Sequence, residues 1–200
     1  MAGTNTSEIR IAGAGRLFIA PAGTAVPETF TDTDSADDWG TTWKDLGYTS
    51  GDGVTFSKKD KLEPVDVWQV VSPVHFVYSD RDLTLKFSLM QFNEETLPFF
   101  MGGGAVADAG ATSSGVYKYD VADRPYADPH ALGLEFTDRA GSTAVTYRFG
   151  IPRGQVTAAD DIKLARKAPA QLGITFTAMA TPDGSPLASF VMKDSAYAAA

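Results

Sequence analysis

The chain has 200 residues, with 17 lysines and arginines against 25 aspartates and glutamates, so its formal net charge is −8. One domain's worth of chain, 44% apolar and 21% charged, excludes a wholly disordered protein. The acidic balance excludes a protein that works by neutralising phosphates with clustered bases. Cysteine is absent, which removes disulfides, thiolate metal sites and a cysteine nucleophile together. Residues 1–7 lack the basic and apolar regions of a secretory signal, and no stretch has the length of a bilayer-spanning helix. The expectation is a soluble chain made in the cytoplasm, with no membrane partner.

In chain order, Leu17-Phe18-Ile19 is the first apolar run. Residues 21–45 follow as an acidic, turn-rich loop, in which Glu28 to Asp45 holds six acids and Lys44 as the single base. Its run from Asp32 to Asp38 begins like an EF-hand but lacks the glycine at the sixth position and the glutamate at the twelfth. Trp39 and Trp43 flank this polar segment and need burial somewhere, which makes the loop a candidate for docking onto another subunit.

Residues 54–78 read as a long β-hairpin. Its apolar runs are Val67-Trp68-Gln69-Val70-Val71 and His75-Phe76-Val77-Tyr78, and Pro73 between them predicts an edge, a bulge or a turn. The competing place for the reversal is Lys58-Lys59-Asp60-Lys61, followed by Pro64. Leu83, Leu85, Phe87 and Leu89 then alternate with polar residues, a period of two that puts all four on one sheet face. Residues 93–101 predict a short helix, with Asn93 as its cap, Gly102 as its left-handed stop, and Leu97, Phe100 and Met101 on its docking face. Residues 102–115 are nearly all Gly, Ala, Ser and Thr and read as a surface loop. Alternation returns at Leu132 to Phe136, Val145 to Phe149, Ile162 to Leu164 and Leu172 to Phe176. The fold class is mainly β: an antiparallel β-sandwich or barrel with one short flanking α-helix and a protruding hairpin.

Catalytic patterns are missing. His75 and His130 belong to no HExxH or closely spaced ligand set, GxSxG does not occur, and the glycines at 13–15 and 102–104 lack the Lys-Ser/Thr ending of a phosphate loop. Nominal carboxylate pairs, Glu94-Glu95, Asp123 with Asp128 and Glu135 with Asp138, have no partner pattern that marks glycoside chemistry. No cofactor is expected. The three tryptophans, Trp39, Trp43 and Trp68, leave a second reading open, a secreted carbohydrate-binding or adhesive β-sandwich module.

Two phrases in the first half occur together: Ala20-Pro21-Ala22-Gly23-Thr24-Ala25-Val26-Pro27, then Trp43-Lys44-Asp45-Leu46-Gly47-Tyr48-Thr49-Ser50-Gly51-Asp52-Gly53-Val54. Over about residues 15 to 95 the chain resembles the major tail tube protein of long-tailed, non-contractile bacteriophages, with Gly51 standing where an acidic residue is more usual. The resemblance implies one tail-tube domain over residues 1–200, copies closing into hexameric rings, and rings stacking into a tube. Neighbours would be gripped by the loop at 21–45, the hairpin, and terminal arms at residues 1–14 and 193–200. Carried onto this sequence, the contact residues are Trp39, Trp43, Leu46, Tyr48, Lys58, Lys59, Lys61, Val67 and Trp68. It also implies tape measure, tail tip and tail terminator proteins as partners, and double-stranded DNA passing through without specific binding.

Overall fold

The computed structural model describes residues 8–31, 36–110, 115–124, 127–138, 145–194 and 197, without the side chains of 36 and 37. Most of the EF-hand-like run, residues 1–7 of the first arm, residues 111–114 of the glycine-rich loop, and all but 193, 194 and 197 of the last arm lie outside them.

The strands are β1 (Ala14–Pro21), β2 (Lys44–Asp45), β3 (Thr55–Val67), β4 (Val70–Leu89), β5 (Val106–Asp108), β6 (Tyr117–Tyr119), β7 (His130–Asp138), β8 (Val145–Ala159), β9 (Leu172–Ala178) and β10 (Ser189–Lys193). A 3-10 turn at Ala36–Trp39 and one helix, α1 (Thr96–Met101), interrupt them. Eight strands form one antiparallel sheet in the order β2-β1-β7-β8-β9-β4-β3, with β10 also on β8, while β5 and β6 pair apart as a small ribbon.

The long strand β8 bends this sheet round a core. Its first half pairs with β7 and β10, and its second half, from Gly154, pairs with β9. The sheet is then closed by residues 46–50: the Leu46 amide donates to the Leu17 carbonyl on one side, and the Ser50 amide donates to the Ser88 carbonyl on the other. Leu17, Ile19, Leu132, Phe149 and Ile151 from one wall meet Leu85, Phe87, Leu89, Leu172, Ile174 and Phe176 from the other, all buried. The period of two in the sequence places these residues inward together.

α1 lies against this core. Asn93 Oδ1 accepts from the amides of Glu95 and Thr96 at 3.0 and 2.8 Å, and Gly102 stops the helix at φ 80°. Six residues carry few anchors, and Thr96, Phe99 and Phe100, spaced three and four apart, face the sheet. Phe100 docks as expected, but Phe99 supplies the second ring, against Phe176 and His130. Leu97 is half-buried and Met101 is 41% exposed, so neither is the anchor that the sequence pattern assigns.

Further expectations need correction. Ile162 and Leu164 form no strand; they fall in the connection between β8 and β9, where Leu164 is 84% exposed. Flanked by Asp160-Asp161 and Arg166-Lys167, two alternating residues are too few to define a face. The glycine-rich stretch contains β5, which pairs with β6, and β10 carries no strict alternation that would announce it. The hairpin is longer than residues 54–78, because its second strand runs unbroken into Leu89. The reversal falls at Trp68-Gln69, between the paired Val67 and Val70. Pro73 sits in the register irregularity beside that turn, consistent with the bulge its missing amide requires.

A second apolar cluster covers the opposite face of the β1-β7-β8 wall. There Phe18, Ala20 and Ala131 pack with Val26, Trp39 and Trp43 from the acidic loop. The cross-strand pair Gly133 and Gly150 makes this seat flat. A Cβ at Gly133 would lie 2.3 Å from the Trp39 ring, and one at Gly150 would lie 1.7 Å from a Val26 methyl. We expect Gly133→Ala to destabilise the fold by about 1–3 kcal/mol with a shift in tryptophan emission, because the indole must move. Gly51→Ala, which meets nothing within 4 Å, should change stability by no more than about 0.5 kcal/mol in the same denaturation experiment.

Candidate assembly surface

Arg148 decides which surfaces are free. It lies on β8 and is 1% exposed. Its Nε donates to Glu135 Oε2 at 2.6 Å, its Nη2 to Asp38 Oδ2 at 2.8 Å, and its Nη1 to the carbonyls of Thr29 and Pro27 at 2.8 and 3.2 Å. The faces of Phe30 and Trp39 stack on the guanidinium, at 4.1 and 5.4 Å from their centroids. Trp39 Nε1 donates to the same Glu135 oxygen at 3.0 Å. Burial opposes the charge on Asp38, but hydrogen bonds from Thr31 and Arg148 outweigh it and hold the carboxyl below its usual range.

The acidic loop is therefore folded onto its own sheet. Trp39, at 2% exposure, Trp43 and Leu46 are buried within the chain, and they have no surface left to offer a neighbour. The burial that the two indoles need is met internally, in an edge-to-face pair at 5.0 Å.

Arg10 and Asp194, far apart in the chain, are also tied together. Arg10 Nε donates to Asp194 Oδ2 at 2.9 Å and to the Tyr147 hydroxyl at 3.1 Å, and that hydroxyl donates to Asp194 at 2.6 Å. Burial, with Asp194 beside it, pushes the Tyr147 phenol up to about 12. The side chains flanking Arg10, Ile9 and Ile11, are exposed.

The hairpin presents the opposite case. At its root, Asp60 is held by Arg81 at 2.7 Å and Lys58 at 2.8 Å, contacts that keep its carboxyl below the ordinary range. Lys61 pairs with Glu63 at 3.0 Å, and Lys59 is exposed. Further out, Leu62 opposes Tyr78 and Pro64 opposes Phe76 on one face, while Val65 opposes His75 and Glu63 opposes Val77 on the other. All eight are exposed, as are Val67, Val70 and Val71 around the tip. Trp68 is 99% exposed. Tyr48, on the closing segment, is exposed as well. Of the contact residues named from the sequence, Tyr48, the three lysines, Val67 and Trp68 thus lie at the surface. The apolar ribbon face through Leu62, Phe76 and Tyr78 was missed, although its high β-propensity run was visible.

Other concavities look less like chemistry. One of about 730 Å³ lies between the end of β1, α1 and residues 104–106. It carries His130 paired with Asp128 at 2.7 Å, alongside Glu94 and Glu95. Among the described residues no group of three or more His, Cys, Asp or Glu is placed to hold a metal ion, and no helix is long and apolar enough to cross a membrane.

A closed β core with its acidic loop turned inward and an apolar two-stranded arm left in water is the anatomy of an assembly subunit. The chain belongs to the phage tail tube protein family, whose model matches residues 2–200. A comparison with curated proteins gives no match. Family membership makes the chain a structural component of the virion tail, which assembles into a tube with other tail proteins.

Arg148→Ala would leave Asp38 and Glu135 buried without their cation, and we expect a loss of about 3–5 kcal/mol in chemical denaturation. Because the Asp38 carboxyl is held below its unfolded value near 3.9, its contribution is complete above that value and disappears as pH falls through the lower folded one. Acid titration followed by tryptophan emission should show the loop release only below about pH 4, and Asp38→Asn should flatten that part of the curve.

Proposed function

We propose that six copies of this chain close into a ring, and that stacked rings form the tube of a long, non-contractile phage tail through which the double-stranded genome leaves. The observation that carries this reading is the arm from Leu62 to Tyr78, which exposes apolar side chains on both faces and, among the described residues, is paired only with itself. An isolated two-stranded ribbon is marginal in water, so this one is completed by packing against other copies. The exposed Ile9 and Ile11 of the first arm offer a second such contact.

Charge sets how the conduit treats its cargo. Six copies at −8 sum to a formal −48, and the share facing the channel repels phosphates over about 8–10 Å at physiological salt. DNA slides through without being bound. The remaining partners follow from the same role: a tape measure protein inside the growing tube, a tip complex that starts it and a terminator that ends it. Assembly takes place in the cytoplasm of the host, and the role involves neither catalysis nor a cofactor. The carbohydrate-binding alternative loses two of its three tryptophans, since Trp39 and Trp43 are buried and present no stacking face to a sugar, which leaves Trp68 alone.

Electron microscopy of concentrated protein, alone and with tip proteins, should show hollow rings or tubes of six-fold symmetry with an acidic channel wall. Replacing residues 62–78 by a two-residue turn should leave the melting temperature of the monomer within a few degrees and abolish the tubes. A basic channel wall, or tubes that form without the arm, would contradict the reading.

A further inference from the structure

We infer that the Trp68 tip of one copy inserts into an apolar cleft at the open end of a second copy's β core, a surface that deepens the tube reading and rests on it. The cleft, about 440 Å³, is floored by Phe56, Phe149 and Phe190 and walled by Gly13, Gly15 and Val54. Phe149 and Phe190 stand 4.5 Å apart and Phe56 meets Phe149 edge-on at 5.1 Å, so three rings converge, yet Phe56 and Phe190 remain exposed. On the wall Gly13 leaves backbone where a side chain would stand: a Cβ there would meet the Thr137 carbonyl oxygen only at 3.9 Å, whereas one at Gly15 would lie 3.4 Å from the Glu135 carbonyl oxygen. The concavity therefore has the aromatic floor and the bare wall that accept a flat ring.

The tip supplies the matching part. Trp68 projects fully into water between Val67 and Val70, and it is not among the residues of its own chain's cleft. Charge is complementary. Between Leu62 and Ser79 the arm carries Glu63 and Asp66 and neither lysine nor arginine, whereas Arg16 is the single charged residue lining the cleft. Two different patches that fit one another make a head-to-tail contact, and such contacts propagate from copy to copy until a ring closes.

The absence of native cysteine allows a direct test. Copies carrying Gln69→Cys, which keeps Trp68, are mixed with copies carrying Gly13→Cys, assembled, and treated with a short bis-maleimide. The expected product is the mixed dimer, at a yield at least about tenfold above that with Leu164→Cys in place of Gly13→Cys, in keeping with a contact worth one decade or more of affinity. In parallel, Trp68→Ala and Gly13→Leu should each raise the concentration needed for tube growth by at least about tenfold while leaving the monomer's melting temperature within a few degrees. Tubes that form without the mixed dimer, or that grow like wild type from both substituted proteins, overturn the inference and leave the tube reading standing. Such tubes would mean that the cleft is covered by the chain's own first residues or by another tail protein. A wild-type chain that never assembles, with or without tip proteins, overturns both.

Discussion

One buried cation organises this molecule. Arg148 offers its rigid fork of donors to two carboxylates and two loop carbonyls, and its flat faces to two rings, so the acidic segment can dock in only one pose. An ion cluster taken out of water adds little net stability by itself, because desolvation offsets most of the attraction. Its effect is selective instead. A loop with a net charge near −5 between Glu28 and Asp45 would stay solvated on any ordinary surface. Here a guanidinium waits beneath it, and Gly133 and Gly150 have cleared the space for its tryptophan and valine side chains.

That arrangement explains why the walls were legible in the sequence and the place where the loop's tryptophans are buried was not. Strands with one dry face betray themselves by period two, and Leu83 to Leu89, Leu132 to Phe136 and Leu172 to Phe176 were legible for that reason. Arg148 sits at an outward position between Tyr147 and Phe149, where a charged residue reads as solvent-facing. Its partners lie 13 and 110 residues away, and no local pattern joins them. The two strand glycines are equally silent, since their role appears only when the indole and the valine land on them. A clue did exist: Glu135 is a second charged residue at an outward position of a neighbouring strand.

The hairpin was legible as an element, but its tip was not, for a different reason. Trp68-Gln69 lacks the Gly, Asn or Asp chemistry that marks a tight reversal, so the eye goes to Pro73 or to the lysine cluster. Moreover, an arm with apolar side chains on both faces loses the alternation by which a half-buried strand is recognised. The family phrases were more informative than the periodicity here, because they describe the turns around residues 21–27 and 46–54, which local residue chemistry does fix.

These two outcomes are linked. With the acidic loop, both indoles and Leu46 satisfied internally, the apolar surface available for association among the described residues includes the arm, the exposed phenylalanines at the core's open end and the strip at Ile9 and Ile11, beside scattered side chains such as Phe92, Tyr117 and Leu164. Ordering an arm costs roughly 1–2 kcal/mol per backbone residue, so a single pair of copies gains too little to hold it in place. In the proposed ring each copy would give an arm and receive one, and every added contact would share the ordering that its neighbours have already established. Association is then unfavourable for the first few copies and favourable once a template presents a complete set of receiving surfaces. A subunit whose stickiest segment is also its least self-sufficient can remain dispersed at high concentration and still polymerise on cue.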